Sequence, residues 1–292
     1  MRDRFRWLVV LIGLVLAGQS FAMGYQEIEP RQPLDGTLSF TLYRGYLILA
    51  PGSAGTLKGL TFLVDTGASP TVLDPQLASK LHLQRLPASL TVLGGRVQAE
   101  RAVVPSLTLG PMQSDNVPVF IEDLSFLQKV IPVRVDGVVG LDVLGQSAFT
   151  IDYAARQIHF GTLPALPDAI HAHVTGGLAI LDAEVDGVPA HLLLDTGASS
   201  LFLFAQSMPG TVWDLKVNAV QQRSDSIGEA HGKQVKLHSL RLGTAQFVQE
   251  PAFVVPDGSP EGHPFDGLIS PAGLGIRRVA IDLGRGEVAF GR

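Results

Sequence analysis

The strongest constraint on this chain is that it is written twice. Residues 62–69 read FLVDTGAS and residues 192–199 read LLLDTGAS. Their aspartates, Asp65 and Asp195, stand 130 positions apart. A second pair of blocks keeps the same spacing: DGVVGLDVLGQSAFTIDYAARQIHFG at 136–161 and DGLISPAGLGIRRVAIDLGRGEVAFG at 266–291. Between these blocks the register slips and recovers. SLTLG at 106–110 matches SLRLG at 239–243, and Pro118-Val119-Phe120 matches Pro251-Ala252-Phe253, both 133 apart. Loops of different length between fixed strands produce such a slip. A chain of this kind is expected to fold as two copies of one unit. Copy one covers roughly 34–162 and copy two roughly 178–292. The stretch LPALPDAIHAHVTGG at 163–177 carries two prolines and a closing Gly-Gly, and is the expected linker. Each copy is long enough to bury its own core.

Within each copy the pattern is that of short strands. Phe62-Leu63-Val64 and Leu192-Leu193-Leu194 are continuous apolar runs that stop at an aspartate, as buried strands do. AEVDGVPAHLLL at 183–194 reads as a hairpin turning at Asp186-Gly187. In copy one the corresponding APGSAGTLKG at 50–59 reads as a longer, glycine-rich connection. FTIDYAARQIHFG and VAIDLGRGEVAFG each predict a terminal hairpin. The best helix is short: Asp74 caps it, Pro75 opens it, and Leu77, Ala78 and Leu81 form its apolar side. The 32 glycines and 19 prolines leave little room for long helices. The expectation is an all-β chain of two homologous lobes with minor short helices.

The first 22 residues are of a different kind. Arg2, Arg4 and Arg6 precede an apolar stretch of 12 residues at 7–18, and Ser20-Phe21-Ala22 offers small residues for cleavage. That is the layout of a secretory signal peptide. A spanning helix needs about 20 apolar residues. Residues 1–22 are therefore expected to be removed after Ala22, giving a periplasmic or secreted protein without stable membrane insertion. An uncleaved signal would leave it membrane-anchored. Removal takes away three arginines and one aspartate and makes a chain of net charge −5 more acidic. No basic footprint for nucleic acid is visible. Cysteine is absent, which excludes disulfides, thiolate nucleophiles and cysteine-based metal sites.

Two Asp-Thr-Gly-Ala-Ser pentapeptides, each behind a buried apolar strand, resemble the active-site signature of aspartic proteases. The likeness is to the retropepsin-like branch, in a fused form that carries both lobes in one chain. Val138-Val139-Gly140 is similar to the later hydrophobic–hydrophobic–Gly element of that family. The resemblance implies two retropepsin- or pepsin-like β-barrel lobes and a catalytic pair, Asp65 and Asp195. It further implies that Thr66 and Thr196 bond across the lobes, and that Ser69 and Ser199 bond the outer carboxylate oxygens. Gly67 and Gly197 would let neighbouring amides approach the carboxylates. Chemically, two carboxylates held close share one proton, because both cannot ionise cheaply. The ionised one takes a proton from water, and the protonated one donates to the carbonyl of a peptide or protein substrate. No metal or cofactor is needed. One chain supplies both halves, so a monomer is expected. The second copy departs from the pattern: its element reads Leu268-Ile269-Ser270, followed by Pro271. The flap of copy one is expected near Leu93-Gly94-Gly95-Arg96. Its counterpart, about 221–234, is longer and polar, and neither carries a tyrosine.

Three other readings stand beside this one. The first is a non-catalytic peptide-binding module on the same two-lobed fold. The second is a glycosidase with paired carboxylates, which has no reason to place both in identical pentapeptides. The third is a metal at His171 and His173, against which stands the expectation that they are solvated linker histidines without carboxylate or cysteine neighbours. The repeating Asp136, Asp152, Asp266 and Asp282 are expected to bond local backbone at turns.

Overall fold

A computed structural model describes residues 34–92, 95–161, 163, 168–208, 221–225, 228–255 and 264–291. The signal-peptide residues, the tip of the expected first flap at 93–94 and residues 226–227 of its counterpart lie outside the described residues. The described residues are mostly strand, with short helices between, and the same path is traced twice.

In lobe one, the strand Leu57–Val64 runs parallel to Gly137–Val139, pairing Phe62 with Gly137 and Val64 with Val139. In lobe two, Val188–Leu194 runs parallel to Gly267–Ile269, pairing Leu192 with Gly267 and Leu194 with Ile269. Both strands are flanked on both faces by core, which is why they are continuous apolar runs. Short returning strands, Val72–Leu73 and Leu201–Phe204, then pair antiparallel to the same partners. Each aspartate therefore stands at the end of a central strand, its amide bonded to the neighbouring strand: Asp65 to Val139 and Asp195 to Ile269, both at 3.0 Å.

A sheet common to both lobes joins them. Phe149–Asp152 of lobe one pairs antiparallel with Arg278–Asp282 of lobe two. The terminal hairpins expected from the sequence flank this seam, as Phe149–Asp152 with Gln157–Phe160 and Arg278–Asp282 with Glu287–Gly291. Asp152 accepts from Arg278 at 2.6 Å across the seam. One apolar core runs through the seam into both lobes and includes Phe149, Ile151, Val279 and Ile281.

The helix Pro75–Lys80 forms as expected, with Asp74 accepting from the Gln76 amide at 3.0 Å. The hairpin at Asp186-Gly187 forms too. The glycine-rich 50–59 is not a loose connection. Leu47–Ala54 and Leu57–Val64 make a hairpin with a register shift at Gly52/Ser53. Glycine is required there by space: a Cβ on Gly52 would lie 2.6 Å from the Thr108 carbonyl. Within the stretch read as linker, Ile170–Thr175 is a strand paired to Leu178–Val185 and Glu287–Gly291. Its alternation is visible in hindsight, with Ile170 and Ala172 buried and His171 and His173 exposed.

Candidate active site

The two pentapeptide turns meet at the lobe interface, each locked by the other. The Thr66 amide donates to Thr196 Oγ1 at 3.0 Å, and the Thr196 amide donates to Thr66 Oγ1 at 3.1 Å. Each hydroxyl passes its own proton across the interface. Thr66 Oγ1 donates to the Leu194 carbonyl at 2.8 Å, and Thr196 Oγ1 to the Val64 carbonyl at 3.2 Å. Both threonines are fully buried, so this closed ring of four bonds is strong and positions the turns against each other.

The ring brings Asp65 and Asp195 together. Their carboxyls are in hydrogen-bond reach of each other, and they are only 4% and 2% exposed. Backbone amides fix their orientation. Gly67 donates to Asp65 Oδ1 at 2.8 Å. Gly197 and Ala198 donate to Asp195 Oδ1 at 2.7 and 3.0 Å. Burial pushes both carboxyls above the ordinary aspartate range, and for Asp195 the nearby charge of Asp65 pushes in the same direction. Two carboxyls this close and this buried cannot both ionise cheaply.

The two glycines are there because each faces the other lobe's acid. A Cβ on Gly67 would lie 2.6 Å from Asp195 Cγ, and one on Gly197 would lie 2.6 Å from Asp65 Oδ2. Hydrogen bonds from Gly67, Asp195 and Gly197 act on the Asp65 carboxyl. Ser69 is buried, and a Cβ on Gly177 would lie 2.4 Å from its Oγ. Ser199 is half-buried beside the dyad turn, its carbonyl against Gly273.

Several contributors were not singled out from the sequence. Thr71 and Asp142 clasp the loop beneath the first turn. The Thr71 amide donates to Asp142 Oδ2 at 2.9 Å, and Thr71 Oγ1 donates to Asp142 Oδ1 at 2.8 Å. The same hydroxyl accepts from the Gly140 amide at 3.2 Å. Burial holds the Asp142 carboxyl above its usual range despite these donors. Tyr153 lies on the seam, its hydroxyl buried and without a hydrogen-bond partner among the described residues. Burial and then the charges of Asp195 and Asp65 push that phenol upward. Setting the copies side by side at 130 would have flagged these positions, because Leu201, Ala272 and Leu283 stand opposite Thr71, Asp142 and Tyr153.

The other repeating aspartates divide by role. Asp152 and Asp282 accept from Ala155 and Arg285 within their own turns, as expected. Asp136 and Asp266 reach further: they accept from the Thr61 amide at 3.0 Å and the His191 amide at 2.8 Å on the adjacent central strand, and Asp136 also accepts from Arg134 at 3.0 Å. His173 does have a carboxylate neighbour, brought by strand pairing rather than sequence. Asp182 bonds His173 Nε2 and His191 Nδ1, both at 3.0 Å. Among the described residues, no group of three or more histidines or acids is arranged to hold a metal ion.

Comparison with known proteins agrees with this geometry. Residues 53–143 and 181–270 each match the model of the family described as aspartyl protease, and the two matches together span more than half of the chain. Among solved structures, the chain is similar to basic 7S globulin from soybean, with a TM-score of 0.53 over 89% of this chain and 95% of that chain. At 14% identity that likeness concerns the fold alone. No curated protein matches the sequence significantly.

Proposed function

The chain belongs to the aspartyl protease family, and from that premise we propose that it is an exported endopeptidase whose catalytic residues are Asp65 and Asp195. The observation that carries this reading is the meeting of two identical pentapeptides, which places two buried carboxyls in hydrogen-bond reach at a lobe interface. Solvent water enters between substrate and dyad. The ionised carboxylate removes its proton while the protonated partner donates to the scissile carbonyl oxygen, and the roles reverse as the leaving amine is protonated. Gly67, Gly197 and Ala198 orient the carboxylates. Thr66 and Thr196 hold the two halves in register. Ser69 and Ser199 support the turns. A module that only bound peptides would gain nothing from two buried acids that repel when both ionise.

The test is hydrolysis of an unstructured protein by the purified mature chain. Turnover should survive EDTA. It should fall on an alkaline limb that lies above the ordinary aspartate range, because the shared proton is held above it. Specific activity should not fall on dilution, since one chain supplies both aspartates. Export is checked by N-terminal sequencing, with Met23 as the expected first residue. Loss of turnover on chelation, restored by zinc, would overturn the mechanism.

A further inference from the structure

In lobe one the loop beneath the dyad turn is held by a backbone donor: the Leu141 amide bonds the Ala68 carbonyl at 2.9 Å. The loop approaches so closely that a Cβ on Gly140 would lie 2.3 Å from that same oxygen. Lobe two cannot repeat this arrangement. Proline stands at 271, opposite Leu141, and has no amide proton to give. The residue before it is a serine where lobe one has glycine. Ser270 is completely buried, and its hydroxyl donates to the Ala198 carbonyl at 2.6 Å while accepting from the Gly273 amide at 3.1 Å. In lobe two the bond to the turn carbonyl thus comes from a side-chain hydroxyl and not from the backbone.

Ala198 matters because its own amide is one of the two donors to Asp195 Oδ1. The geometry assigns Ser270 as a positioning residue: its hydroxyl stands in for the donor that Pro271 lacks, and so keeps the Ala198 amide aimed at the Asp195 carboxylate. This rests on the proposed catalytic role of the dyad for its meaning, but not for its measurement. The two changes from lobe one, glycine to serine and leucine to proline, are then a single compensated exchange.

The test uses the full mature protein and four variants: Ser270→Ala, Ser270→Gly, Pro271→Leu, and Ser270→Gly combined with Pro271→Leu. The readouts are the titration of the dyad followed by carbon-13 NMR of aspartate carboxyls, and kcat and KM on an unfolded protein. Loss of an amide donor to an ionised carboxylate raises its pKa. Ser270→Ala and Ser270→Gly should therefore shift the lower dyad titration upward and reduce kcat by roughly tenfold with KM little changed. The combined variant should recover both, because the leucine introduced at position 271 restores the amide and the glycine introduced at position 270 lets the loop close. If Ser270→Ala titrates as the wild type does, or if the combined variant is no better than Ser270→Gly, the assignment is wrong. Should Ser270→Gly fail to fold, recovery of folded protein in the combined variant supports the assignment and failure to recover overturns it. A wild type without turnover would sink the protease reading and still leave the titration and the rescue readable.

Discussion

The two lobes solve one problem with different chemistry. Each must hold a pentapeptide turn rigid from below while its aspartate faces the other lobe. Lobe one does this with a polar clasp, Thr71 on Asp142, and a glycine that lets backbone meet backbone. Lobe two has Leu201 and Ala272 at the clasp positions and a serine hydroxyl in place of the backbone donor. At the acids the lobes differ by one amide, since Asp195 Oδ1 accepts from Gly197 and Ala198 where Asp65 Oδ1 accepts from Gly67; in the strands and the threonine ring they are alike. The parallel strand pairs match residue for residue, and the threonine ring is reciprocal. The constraint therefore acts on the turn and its acid, while the support beneath can be polar or apolar.

The largest effects should be identical in the two lobes. Asp65→Asn and Asp195→Asn are each expected to lose turnover by roughly 10⁴-fold, as residues that act as one unit do. Both variants should stay folded. Because burial, and at Asp195 also the charge of Asp65, holds the pair's pKa above the unfolded value, the native state loses stability as pH rises through the folded titration. The asparagine variants should therefore melt no lower than the wild type at neutral pH. Substantial activity in one variant alone would show that the lobes are not equivalent at the site.

Next come the glycines that face the opposite acid. Gly67→Ala and Gly197→Ala each place a methyl against the partner lobe's aspartate. Displacing a reacting group by about an ångström costs on the order of 100-fold. Steady-state kinetics should show losses of that size in both, with near-ultraviolet circular dichroism unchanged. A marked inequality between them would mean that one aspartate is free to move away.

The clasp should then separate the lobes. Thr71→Val removes the hydroxyl donor to Asp142 and should destabilise the protein by about 1–3 kcal/mol, since a buried acceptor loses its partner. Asp142 has a folded pKa raised by burial, so its contribution to stability is present at low pH and is lost as pH rises through that value. Asp142→Asn should flatten this part of the pH dependence of melting, and no substitution at Ala272 of lobe two should imitate it. An unaltered melting profile in Asp142→Asn would remove the clasp from the account. The smallest effect belongs to Asp182, more than half exposed between His173 and His191. Asp182→Ala should cost less than about 1 kcal/mol and leave turnover unchanged.

The duplication, the dyad and the central strands were legible because each depends on a local pattern. An apolar run ending in Asp-Thr-Gly can be read without knowing what lies beside it. What escaped depended on packing between distant segments. APGSAGTLKG reads as a loop because its glycines look like turn formers, whereas Gly52 is there to let a strand pass close to the Thr108 carbonyl. Ile170–Thr175 was hidden by the prolines before it and the Gly-Gly after it, although its alternation was intact. Asp136 and Asp266 look like turn residues, yet each reaches the adjacent strand, which only the fold brings near. Ser270 and Pro271 read as two departures, and become one exchange once the Ala198 carbonyl is seen above them.

In the proposed function Asp65 and Asp195 act as one catalytic unit spanning both lobes. Turnover of the double variant Asp65→Asn/Asp195→Asn against the two single variants, on the same unfolded protein, decides this. The double variant should be little worse than either single one, because the first substitution has already removed the shared proton. Losses that multiply, with the double variant far below both singles, would show two independent sites and contradict it.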